Sequence, residues 1–165
     1  CPMPWKRLVS LDFLRKVAPE GRMVFLKDTC CDYELIRERL KAVEGTPLKI
    51  FNANAQSWYD SYCHGSAGYN GVMANFHPDL YKWAYDHKDS DPEKAQLVAH
   101  FLTTAAMIEM RIYPCNAKHH QNLVDVPMSV FARSADCAKL DKNAKGEVES
   151  LIHLEQYVRK QLGLL

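Results

Sequence analysis

Lys27 ends the apolar run MVFL and is followed at once by Asp28 and Thr29, within the stretch RMVFLKDTCCD. An ammonium group at the end of an otherwise apolar strand must be solvated, paired or held as the neutral amine, because an isolated buried ion is very costly. A desolvated amine attacks carbonyl carbon and forms a Schiff base. Asp28 offers the plainer alternative, an ordinary ion pair, and for a lysine taken alone that reading carries more weight. Asn52 and Asn54 follow a second apolar run, LKIF, and Asn75 ends a third, YNGVMAN. Lys27, Asn52 and Asn75 therefore close three runs at intervals of 25 and 23 residues.

So regular a period requires elements that bring the three ends together. Ser10 caps a helix SLDFLRKVA before the first run, and Asp32 caps DYELIRERLKAVE after it. In that second helix Tyr33, Leu35, Ile36, Leu40 and Val43 share a face, and Gly45 ends it. AQSWYDSYCHG and PDLYKWAYDHK, the latter opened by Pro78, are the next helices. Strands alternating with helices predict a parallel sheet covered by helices, either doubly wound or a (β/α) barrel. Ligands bind at the C-terminal edge of the strands in both, which makes Lys27, Asn52, Asn54 and Asn75 one candidate site by position. Beyond residue 88 the alternation stops. SDPEKAQLVAHFLTTAAMIEMRIYP, CNAKHHQNLV and GEVESLIHLEQYVRKQLGLL read as helices, the last with Val148, Leu151, Ile152, Leu154 and Val158 on one face. The expected division is a βα part over 1–88 and a helical extension over 89–165.

Composition narrows the ligand class. The 165 residues are 47% hydrophobic and 25% charged, as in an ordinary globular domain. Lysine and arginine number 21 against 20 acidic residues, so no global field favours nucleic acid or an anionic membrane. No apolar stretch reaches the roughly 20 residues that span a bilayer. A small molecule is the expected partner. The six cysteines have no regular spacing, which predicts reduced thiols and a cytoplasmic protein. Cys115, His119 and His120 are too few for a closed metal set, and His64, His77 and His100 lack partners at ligand spacing, so no metal is expected. Trp58, Tyr59, Tyr62, Trp83 and Tyr85 read as packing between helices and sheet. Lys139, Lys142 and Lys145, interleaved with Asp136, Asp141 and Glu147, read as a solvated face.

RMVFLKDTCCD resembles the strand of the dihydrodipicolinate synthase and N-acetylneuraminate lyase family that carries its Schiff-base lysine, followed by an acidic residue, Thr or Ser, and an aspartate a few positions on. Lys27 is the match. GSAGYNGVMANF, 65–76, resembles the family's glycine-rich approach to the last barrel strand and the Ala-Asn that ends it. YPCNAKHHQNLVDVPMSVFAR resembles its C-terminal helical region, with Lys118 and Arg133 at recurrent basic positions, and the opening CP resembles the tail of the fifth strand. The resemblance covers essentially the whole chain but only the later part of the family fold.

It implies an α/β protein: a partial (β/α)8 TIM barrel, its last three strands, followed by a C-terminal helical domain. It further implies a lyase or aldolase that acts on 2-oxo acids such as pyruvate through a covalent imine on Lys27, without a separate cofactor. An aldehyde would be the second reactant, and the complete protein a homo-oligomer, usually a tetramer. Thr29, Asn52, Ala53 through its backbone, Asn54 and Asn70 would meet the substrate. Pro4, near Lys6 and Arg7, stands where dihydrodipicolinate-forming members place an arginine, and Asn52-Ala53-Asn54 replaces a frequent Ser-Gly-Asp. Both departures leave the second substrate open. Three strands do not close a barrel, so further strands are expected from upstream or from another chain. The alternative is a non-catalytic fragment or pseudoenzyme that needs a partner to complete the fold.

Overall fold

The computed structural model describes residues 7–165. The expectations placed on the opening CP, on Pro4 and on Lys6 lie outside the described residues. Helix α1, Leu11–Val17, is capped by Ser10, whose side chain accepts from the Phe13 N–H. Strand β1, Phe25–Asp28, leads to α2, Tyr33–Ala42, where the Asp32 carboxylate accepts from the Leu35 N–H at 2.7 Å. Strand β2, Lys49–Asn52, α3, Trp58–Cys63, β3, Gly68–Tyr69, and α4, Pro78–His87, complete the alternating part. The chain then becomes helical: α5, Pro92–Ala105, α6, Cys115–Leu123, and α7, Lys142–Gln161. The three strands form one parallel sheet in the order β1-β2-β3, with Lys27 beside Phe51 and Phe51 beside Gly68.

The third strand is shorter than the sequence predicts. Pairing ends where the Asn70 N–H donates to the Asn52 carbonyl at 2.8 Å, and Val72–Asn75 is a turn of 3-10 helix. Gly71 explains the departure: a Cβ there would stand 2.5 Å from the Ala53 carbonyl oxygen, so the backbone crosses the sheet rim closer than any side chain permits. Met73 then enters the core as part of a helical turn. A short apolar run does not by itself distinguish the two conformations. Asn75, expected at a strand end, bonds the Val72 carbonyl and the Tyr113 hydroxyl instead. The α5 helix likewise gives way to a 3-10 segment, Ala106–Met110, and Leu154 faces solvent rather than the core.

Two apolar clusters hold these elements. Leu14, Ile36, Leu40, Leu48 and Ile50 pack α1 and α2 onto β2. Trp58 centres the larger cluster, with Tyr62 and Tyr81 edge-on to its ring at 5.1 and 4.6 Å, and this cluster continues through Leu80, Val98 and Leu102 to Val148 and Ile152. The core runs unbroken across residue 88, because α4 packs along α5. The cysteines depart from the reduced state expected of them. Cys115 and Cys137 form a disulfide, while Cys30, Cys31 and Cys63 are free. The pair is separated by 22 residues, and the loop between them returns to bring the thiols together, which spacing alone does not reveal.

Candidate functional site

Side chains alternate across a strand, so β1 sends Phe25 and Lys27 to one face and Leu26 and Asp28 to the other. The second face is covered by helices. Asp28 is buried there, and its carboxylate takes the Arg39 guanidinium at 2.5 Å and the Cys30 N–H at 2.7 Å. The partner the sequence offers to Lys27 is therefore committed to α2. Lys27 itself is exposed on the opposite face, level with Phe51. Arg39 was hidden among the apolar positions Ile36, Leu40 and Val43. An arginine at that helical spacing is a buried cation that must find an anion, and Asp28 is the one at hand.

The face that carries Lys27 is open. Phe25 remains 49% exposed, and its ring meets that of Phe51 at 4.9 Å. A Cβ on Gly68 would lie 2.4 Å from the Phe51 ring, so the glycine makes the space that Phe51 occupies. In a closed barrel these residues would point inward.

The rim residues divide between the two faces. Thr29, Ala53 and Asn70 share strand parity with Lys27, and Asn70 is exposed. Asn52 shares the parity of Asp28. Its amide is buried and donates to the Ser57 and Ser61 hydroxyls at 3.0 and 3.2 Å, while its oxygen accepts from the Asn54 N–H. Asn54 in turn accepts from Ser57. Both asparagines thus shape the turn into α3, with their side chains bound up in it. That turn is held from two sides. The Tyr33 hydroxyl donates to the Gln56 carbonyl at 2.7 Å, and the Thr103 hydroxyl to the Ala55 carbonyl at 3.3 Å. Neither contact is visible in sequence, since they join positions 23 and 48 residues apart. The Ala53 N–H donates to the Asp28 carbonyl, continuing the ladder past the last strand residue.

Cys30 and Cys31 differ sharply. Cys31 is exposed at a left-handed φ of 57°, in the turn that redirects the chain into α2. Cys30 is buried, and burial followed by its bond to Asp28 pushes the thiol up to about 11. The folded chain keeps that proton where the unfolded chain has lost it, so Cys30 stabilises the fold below about pH 8.5 and the contribution fades as pH rises toward 11. Alkylation at pH 8 is expected to modify Cys31 and spare Cys30 until urea unfolds the chain. The urea midpoint should fall above pH 9, and less so in Cys30→Ala.

No protein-family model matches the chain, and no curated protein matches it. Solved structures do. YagE, a prophage protein of the dihydrodipicolinic acid synthase family from E. coli K12 determined with pyruvate, superposes with a TM-score of 0.74 at 18% identity over 94% of this chain and 52% of its own. Dihydrodipicolinate synthase from Thermotoga maritima gives 0.70 at 18% identity over 94% and 51%. A monomeric dihydrodipicolinate synthase variant gives 0.71 at 17% over 94% and 50%. At such identities the likeness is one of fold. The chain thus has the architecture of a partial TIM barrel with helices, as in the C-terminal portion of the dihydrodipicolinate synthase structures. It spans about half the length of the structures it matches.

Proposed function

We propose that the protein is a Schiff-base lyase or aldolase of the dihydrodipicolinate synthase and N-acetylneuraminate lyase type, with Lys27 as the nucleophile toward a 2-oxo acid such as pyruvate. The observation that carries the reading is the division of β1: Asp28 is drawn to Arg39 on the helix side, and Lys27 lies exposed near the C-terminal end of the face that a barrel would enclose. Enclosure by further strands would desolvate the amine and favour its neutral, attacking form. The imine would withdraw electrons from the adjacent carbon and so allow a carbon–carbon or carbon–oxygen bond to be made or broken. Thr29, the Ala53 backbone and Asn70 lie on the same side and are assigned to the substrate; Asn52 and Asn54 are assigned to holding the rim. A homo-oligomer and a cytoplasmic setting belong to this reading, although the Cys115–Cys137 disulfide removes the argument from reduced thiols.

Borohydride added to the full-length protein under saturating pyruvate is expected to leave one reduced adduct, located on Lys27 by peptide mass mapping. The open apolar face also favours a second reading, a half-barrel that works by pairing with another chain and has no catalysis of its own. Such a protein would form no adduct.

A further inference from the structure

Away from the sheet rim, the helical part gathers three buried donors that the proposed chemistry does not use. His77 stands at the N-terminus of α4, His120 in the last turn of α6, and Glu155 near the middle of α7. All three are buried, and one ligand atom from each lies within 4.8 Å of the others. Glu155 Oε2 is 3.1 Å from His77 Nδ1 and 3.1 Å from His120 Nε2. Metal–donor bonds of about 2.0–2.1 Å in a tetrahedron place donors about 3.3 Å apart, close to both of these edges.

The contacts are poorly explained as hydrogen bonds alone. The His120 contact has hydrogen-bond geometry, but His77, fully buried, has no hydrogen-bond partner on either ring nitrogen among the described residues. Leaving such a group unsatisfied is costly, and its Nδ1 faces the carboxylate. The other carboxylate oxygen is already held: Glu155 Oε1 accepts from Arg159 Nε at 2.9 Å and from Arg159 Nη2. Arg159 is balanced in turn by Asp79. This arrangement fixes the carboxylate from behind and turns Oε2 toward the imidazoles, as partners of metal ligands commonly do. Glu155 also borders a cavity of about 480 Å³ together with Phe76, Asp79, Gln121 and Arg159.

We propose that His77, His120 and Glu155 bind one divalent transition-metal ion of the zinc class, clamping α4, α6 and α7 together. Two imidazoles and one carboxylate suit zinc, cobalt or nickel and disfavour magnesium or calcium, which take oxygen ligands. Only tertiary folding assembles the site, since its ligands are 43 and 35 residues apart along the chain.

The test uses Co²⁺ and Zn²⁺ with the full-length protein stripped by a chelator. One Co²⁺ per chain is expected, with the intense visible bands of a tetrahedral ion and without the near-ultraviolet thiolate band that binding at Cys31 or Cys63 would produce. Zn²⁺ should displace it and raise the melting temperature. Glu155→Gln and His120→Gln should each weaken binding at least 100-fold, while His119→Gln leaves it unchanged. Sub-stoichiometric cobalt on the folded wild-type protein, a thiolate band, or full binding by a folded Glu155→Gln variant would each overturn the proposal. Should either site variant fail to fold by circular dichroism, the wild-type stoichiometry and spectrum decide alone.

Discussion

Lys27→Arg is expected to abolish the borohydride-trapped pyruvate adduct completely, while Lys49→Arg leaves it at the wild-type level. Both lysines are exposed and lie on the same face of the sheet, so the comparison separates position from mere presence of an amine. Lys49 pairs with Phe25, two residues below Phe51. At a strand rise of about 3.3 Å per residue it sits roughly 7 Å lower, toward the N-terminal edge, where parallel α/β proteins do not place their chemistry. Arginine keeps the positive charge, but its guanidinium stays protonated and does not condense with a ketone. Peptide mapping after reduction reads the result. Equal labelling of both lysines, or an adduct that survives Lys27→Arg, would remove the catalytic assignment.

The second large effect falls on stability. Arg39→Met is expected to cost about 3–5 kcal/mol, the usual penalty for stripping one partner from a buried ion pair. The side chains of Arg39 and Asp28 are 3% and 0% exposed, so a carboxylate left behind would stay buried without its cation, held by the Cys30 N–H. Arg39 also donates to the Val9 carbonyl at 2.6 Å, tying down the chain that leads into α1. A loss of that size is a large share of the about 5–15 kcal/mol that holds a typical domain together. Urea unfolding measures it, and the double variant Asp28→Leu with Arg39→Met should be markedly more stable than Arg39→Met alone, since no charge is then stranded. A single-variant cost below about 1 kcal/mol would mean that water reaches the pair, and the account of how Asp28 is kept from Lys27 would fail with it.

These two residues also show where sequence reasoning reaches its limit. The alternation of elements was readable because it rests on local rules: Ser10 and Asp32 cap where a short oxygen side chain meets a free N–H, and Pro78 and Pro92 open helices where a missing N–H costs nothing. The third strand misled because Val72 and Met73 satisfy an apolar pattern in either conformation, and the close approach of Gly71 to Ala53 decides between them. Asn52 has the right position for the rim but the wrong parity, and pairing register settles which side of the sheet it serves.

What the sequence determined by itself is therefore the lysine at a strand end, the βα rhythm that places it on the C-terminal edge of the sheet, and the change to helices after residue 88. Tertiary structure alone decided that Asp28 belongs to Arg39, that Cys115 meets Cys137, and that His77, His120 and Glu155 converge. The reason is physical. Capping, propensity and periodicity act over a few residues and are written in neighbouring side chains. Pairing of buried charges, thiols and imidazoles depends on which distant segments packing brings together, and burial is what forces each of them to find a partner.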